Sequence, residues 1–251
     1  MKRLLLSISA TALGLSLLLP CYAAAPEKIA KVAPIGDLVR EADAKISSLE
    51  ESLATDSSYL ASKGTKIPAD AGVLAVLSQA IVESEEKAAW QPSAKDVRDA
   101  AIAVAGSKSY DDAKKGLAAI KEAHSGKTGS AKPEHEWHKL CKLGSVMKEI
   151  NTRNGKLRRL TKKDMTDEEA VGAAGDASVM AILALAAHED THEVKKKEEV
   201  PEWQKYSKEF QAQMTALSAA AKKKDKAAAA DAFKKGNTAC NDCHGKFREK
   251  E

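Results

Sequence analysis

Leu143-Gly144-Ser145-Val146-Met147-Lys148-Glu149 repeats, almost class for class, the earlier stretch Ile35-Gly36-Asp37-Leu38-Val39-Arg40-Glu41. Two further blocks follow it in the same order in each half. Val73-Leu74-Ala75-Val76-Leu77 matches Val179-Met180-Ala181-Ile182-Leu183, and Trp90-Gln91 matches Trp203-Gln204. Keeping the last register pairs Val97 with Phe210, Val104 with Leu217 and Ile120 with Phe233. Three ordered blocks mark an internal duplication, so one structural unit is expected twice.

The unit is helical. The chain is rich in Ala, Lys, Glu and Leu and only 4% aromatic, and its periodic stretches contain few prolines, which together indicate an all-α protein. Long apolar-striped segments with short connections favour an up-down-up-down four-helix bundle. The expected architecture is two tandem bundles, residues 26–125 and 134–251, joined by a Gly/Ser/Thr/Lys/Pro linker at 126–133 where helices should stop. In the second half the first helix is expected from about Glu134 to Leu160, with Trp137, Leu140, Gly144, Met147 and Leu157 on one stripe. The second should run from about Glu168 to Lys196, Pro201 should open the third, and a turn around Lys224 should lead into the fourth. Each bundle is expected to own a complete core.

The fourth helix of the second half carries Cys240-Asn241-Asp242-Cys243-His244. C-x-x-C-H is the attachment signature of c-type haem: two thiols add to the haem vinyl groups, and the adjacent imidazole becomes an axial ligand of the iron. One covalent haem c per chain is therefore expected. A zinc half-site would need a second Cys/His pair at ligand spacing, and a redox dithiol would need βαβ context; neither is visible. His188-Glu189-Asp190-Thr191-His192 has the H-E-x-x-H form of a zinc protease helix, but the segment is acidic and has no convincing third ligand. These histidines read better as a solvated helix end, with a sixth-ligand or proton-linked role as the alternative. His124, His135 and His138 are read as solvent-exposed.

The N-terminus reads as a secretory signal over residues 1–23: Lys2 and Arg3, then an apolar run from Leu4 to Leu19, then Ala23-Ala24-Ala25 for cleavage. The alternative, lipidation at Cys21, is disfavoured by Pro20 directly before it. No later apolar run reads as a membrane span, so a soluble periplasmic protein is expected. The formal charge is +4, with Lys2 and Arg3 contributing to it. That near-neutral, mixed balance argues against nucleic acid as a partner.

The pattern Cys240, Cys243, His244, Phe247 and Arg248, with Trp203 and Phe210 in the third helix and Met147 in the first, resembles the class II c-type cytochromes, the cytochrome c′ group of four-helix bundles. The resemblance covers roughly 134–251. It implies that His244 is the proximal iron ligand and that Arg248 lies beside the haem. Members of the group either place a Met on the other face of the iron or leave that position open behind an apolar side chain. Antiparallel bundle geometry also sets Met147 across from His244, although a methionine on a helical stripe is commonly core filler. Val39 occupies the position of Met147 in the first unit, and the register places Lys127, Ser130 and Ala131 where Cys240, Cys243 and His244 stand. The first unit is accordingly expected to be haem-free.

The expected function is single-electron transfer by a monohaem cytochrome, not enzymatic catalysis, with redox proteins as partners and a homodimer possible. The alternative is a five-coordinate binder of nitric oxide or carbon monoxide. Cys141 is left over once haem takes two thiols. Its counterpart is Ala33, so it reads as a small buried thiol, with an intermolecular disulfide as the alternative.

Overall fold

The computed structural model describes residues 28–132 and 135–248. The signal segment, Cys21 and the expected helix start at Glu134 lie outside them. Among the described residues there are ten helices and no strand: α1 (Ile29–Val32), α2 (Ile35–Ser52), α3 (Asp56–Ser62), α4 (Lys66–Glu83), α5 (Ala94–Ala105), α6 (Tyr110–His124), α7 (Leu143–Leu160), α8 (Asp167–Glu189), α9 (Val200–Lys222) and α10 (Lys226–Phe247). Helices α2, α4, α5 and α6 pack as one four-helix bundle, and α7, α8, α9 and α10 as a second.

The matching blocks begin matching helices. Both α2 and α7 contain 18 residues, and each follows an extended residue, Pro34 (φ −63°, ψ 136°) and Lys142 (φ −63°, ψ 135°). This corrects the expected helix from Glu134. Residues Trp137–Lys139 form only a 3-10 turn, packed against α8, and the chain extends again before α7 begins. Trp137 and Leu140 are buried from that turn rather than from a helical stripe. Gly144 is exposed, and the inward face of α7 is Leu143, Val146, Ile150, Arg153, Asn154 and Leu157.

Thr166 and Glu169 form a reciprocal capping box that starts α8. That helix ends at Glu189, not Lys196. The Asp190 carboxylate accepts from its neighbour His192, an interaction that competes with helical geometry. Pro201 sits in the first turn of α9 as expected, and Lys224 takes a left-handed φ of 54° at the turn before α10. The α8 segment is apolar and long enough to cross a membrane by composition, with a mean hydropathy of 1.8 over its best window, contrary to the sequence reading. That window is 89% buried by the other helices, as the central helix of a packed protein is.

The register of the last helices also differs from expectation. Helix starts and N-caps coincide when Ser109 is matched with Asp225, which sets the buried Ala113, Ile120 and Ala123 against the buried Ala229, Gly236 and Ala239. Ile120 therefore answers Gly236 rather than Phe233. In this register α6 stops where α10 reaches Cys240, and α10 alone continues through Cys243 and His244. His124 takes the place of Cys240. It is not simply solvated: Nε2 lies 2.8 Å from Asp43 Oδ1, and the ring packs on Trp90 at 5.4 Å. Asp43 is the counterpart of Asn151, so a hydrogen-bonded pair ties α6 to α2 at the level where α10 and α7 carry the haem motif and its facing residues.

The two bundles do not own separate cores. One apolar cluster runs from Leu38, Leu74 and Leu77 in the first to Met180, Ile182 and Leu183 in the second, all fully buried. Burying each such side chain is worth about 1.5–3 kcal/mol, so much of the stability is shared between the halves. The connection is equally fixed. Asp96 Oδ1 accepts from the Gly129 and Ala131 amides, Asp99 Oδ2 accepts from the Lys132 amide, and the fully buried Arg98 donates to the Lys132 carbonyl. His135, expected in solvent, has its Nε2 3.0 Å from Asp99 Oδ1. Residues 126–132 are a strap held by α5 rather than a free linker.

Candidate haem site

Three consecutive turns of α10 bring Gly236, Cys240 and then Cys243 with His244 along the side facing α7 and α9. Asn154 Nδ2 donates to Asn237 Oδ1 at 2.9 Å and ties α7 to α10. Toward the end of α10 the two helices flank two adjoining cavities. One, of about 210 Å³, is lined by Ile150, Asn154, Tyr206, Phe210 and Cys240; the other, of about 1000 Å³, by Leu143, Lys148, His192, Trp203, Phe247 and Arg248. Met147, Asn151, Cys243 and His244 line both. Clefts of this size suit a small organic ligand.

A small apolar cluster separate from the main core walls the cleft. It is built from Leu143, Ala187 and Trp203, with Met147, Val194, Cys243 and Phe247 packed on it. Trp203 Nε1 donates to the Ala187 carbonyl at 2.7 Å, fixing α9 to the end of α8, and the ring meets Phe247 edge-on at 5.3 Å. Lys246 pairs with Glu202, which holds the end of α10 against α9.

The donor set fits a c-type haem. Cys240 and Cys243 stand one turn apart, half-buried, and both line the cleft. Burial pushes each thiol up to about 11, the opposite of the lowered pKa that activates a redox dithiol. Burial, and then the nearby Arg248 guanidinium, depress the His244 imidazole, which favours the neutral ring that metal ligation requires. Arg248 caps α10, its amide 3.3 Å from the His244 carbonyl.

The structure thus brings Met147, Cys240, Cys243, His244 and Arg248 to one cleft. His192 lines it too. Its hydrogen bond to Asp190 raises its pKa, with Asp190 and Glu193 charges adding to the effect and burial opposing it. His188 lines neither cavity; it is buried, with Nδ1 2.8 Å from Glu189 Oε1. Because α8 ends between the two histidines, they do not share the helical face that a zinc protease motif needs. Among the described residues no group of three or more His, Cys, Asp or Glu side chains is arranged to hold a metal ion. His138 sits on the cavity rim, 3.3 Å from Glu136. The sequence reading missed Asn151 and Lys148. Asn151 had a readable signal, since it follows Met147 by one helical turn.

A four-helix bundle whose last helix presents C-x-x-C-H to a cleft is the architecture of a bundle-type c-haem domain. Residues 144–248, in the second half of the chain, match the family model of cytochrome C′. No curated protein and no solved structure matches the chain.

Proposed function

We propose that this chain is a periplasmic monohaem c-type cytochrome that carries single electrons between redox proteins, with a haem attached through Cys240 and Cys243 and its iron ligated by His244 and Met147. The observation that carries the reading is the position of Met147. It lines both cavities together with Cys243 and His244 and packs in the same apolar cluster as Cys243. The haem would supply the one-electron chemistry. The chain's own part is to hold it. Cys240 and Cys243 would hold it covalently, the His244 imidazole and the Met147 thioether would ligate its iron, and Trp203, Leu143 and Phe247 keep one wall dry. Lys142, Lys148 and Arg248 bring positive charge to the rim, where carboxylates of a bound haem can be paired.

With both His244 and Met147 as protein ligands, the iron would have similar surroundings in both oxidation states and would be closed to diatomic ligands. The chain then acts as a carrier rather than an enzyme. The N-terminal signal and the extracytoplasmic chemistry of thioether attachment support export, and the internal repeat supports duplication of an ancestral bundle that kept its haem motif in one copy. Intact mass of the matured protein should exceed the polypeptide by one haem, and the oxidised absorption spectrum should be low-spin with a methionine-to-iron charge-transfer band. A mass gain of two haems or none refutes the stoichiometry. A high-spin spectrum favours the nitric oxide or carbon monoxide binder, for which the cavity beside Met147 has room.

A further inference from the structure

The face between the bundles is pseudo-symmetric. In the register of the first block, Glu41 answers Glu149 and Lys45 answers Arg153; in the second, Asp70 answers Asp176 and Gly72 answers Ser178. Arg153 Nη1 pairs with Asp176 of its own bundle and with Glu41 of the other, each at 2.7 Å. Lys45 does the mirror-image thing, pairing with Asp70 of its own bundle at 2.7 Å and Glu149 of the other at 2.9 Å. Such an arrangement is isologous, residue i meeting j and j meeting i. Charge alone would therefore let either bundle pair with a copy of itself: in two copies of the second, Arg153 would meet Glu149.

Size breaks the symmetry. A Cβ on Gly72 in α4 would lie 2.6 Å from Cys141 Sγ, 3.2 Å from its Cβ and 3.4 Å from its Cα. Turning the thiol away would relieve the closest contact but leave the Cys141 Cβ at 3.2 Å, tighter than an ordinary contact, so α4 and the Cys141 segment would still have to give by a few tenths of an ångström. The second bundle carries Ser178 at the position of Gly72, and the first carries Ala33 at the position of Cys141. We infer that the haem-free bundle is the dedicated partner of the α7–α8 face, admitted by the fit of Gly72 to Cys141, and that a second haem-motif bundle is excluded there because Ser178 would press on Cys141 at both symmetry-related contacts. Pairing within the chain then replaces pairing between chains on this face, which is a purpose for a bundle without a haem motif.

The test uses the full-length, haem-loaded chain with Gly72→Ser alone and combined with Cys141→Ala, read by thermal unfolding and by sedimentation. Serine is the better helix former, so a loss of stability reports the contact. Gly72→Ser should lower the unfolding midpoint by about 5 °C and remain monomeric, since its loosened α7–α8 face still rejects a copy of itself. Adding Cys141→Ala should recover at least half of the loss. An unchanged midpoint in Gly72→Ser, no recovery in the double variant, or a chain-to-chain dimer of Gly72→Ser each overturns the inference. Should the single variant fail to fold, the double variant must fold, and its failure counts against the inference equally.

Discussion

Met147→Ala is expected to change the spin state and ligand access of the bound haem while leaving it attached. Cys240 and Cys243 are untouched, so the covalent links persist, and His244 stays on its side of the cleft. What disappears is the thioether that borders both cavities. Deleting it joins open space to the position it filled, and the approximately 1000 Å³ cavity is open to solvent, with the exposed Lys142 and Lys148 in its lining. A low-spin parent should become high-spin, admit carbon monoxide readily, and show a lower reduction potential, because a thioether donor favours the reduced state. The variant should fold, since Met147 is half-buried and packs on a satellite cluster rather than on the main core. An unchanged low-spin spectrum would move the ligand to His192, the histidine that shares this cleft. A parent that is already high-spin would overturn methionine ligation outright.

The haem motif and the two-bundle arrangement were legible because each rests on a local pattern. C-x-x-C-H needs one helix to present its thiols a turn apart, and the repeat blocks each start or centre one helix. What stayed hidden depended on contacts between halves. The break at Cys141 and Lys142 has no breaker residue of its own, yet Pro34 stands at the matching position and could have signalled it. The register of α6 against α10 was misread because Ile120 and Phe233 look alike as apolar residues. Burial follows the small residues Ala229, Ala232, Gly236 and Ala239 instead, which let α9 and α10 approach closely. From sequence alone His124 and His135 read as solvated, because their partners, Asp43 and Asp99, are far away in sequence. The shared core was least visible of all, since an amphipathic stripe states that a face is buried without stating against what.

That shared face sets the largest stability effect expected from one substitution. Arg153 is 5% exposed and neutralises three carboxylates: Glu41 and Asp176 through Nη1, and Glu149 through Nε at 2.8 Å. Replacing it with methionine keeps the apolar stem's volume and removes the charge. Glu41 and Asp176 are then buried without their closest cation, keeping only Arg40 at 3.7 Å and Lys156 at 3.8 Å, a loss of about 3–5 kcal/mol, or roughly 10 °C in the unfolding midpoint. The pH dependence gives the cause away. In the parent, burial raises the Glu149 carboxyl but Arg153 and Lys45 more than offset it, so its pKa falls below the ordinary 4.5. That stability is present above the ordinary value and is lost as pH falls through the depressed one. Asp176 differs, for burial outweighs Arg153 and Lys156 and leaves its pKa above the ordinary 3.8. Without Arg153 the Glu149 and Asp176 carboxyls lose an interaction that lowers them and shift upward, so the variant gains relative stability as they protonate. The gap between parent and Arg153→Met should therefore be widest near neutral pH and narrow toward pH 4. Equilibrium unfolding at several pH values would measure it, and a gap independent of pH would mean that Arg153 acts through packing alone.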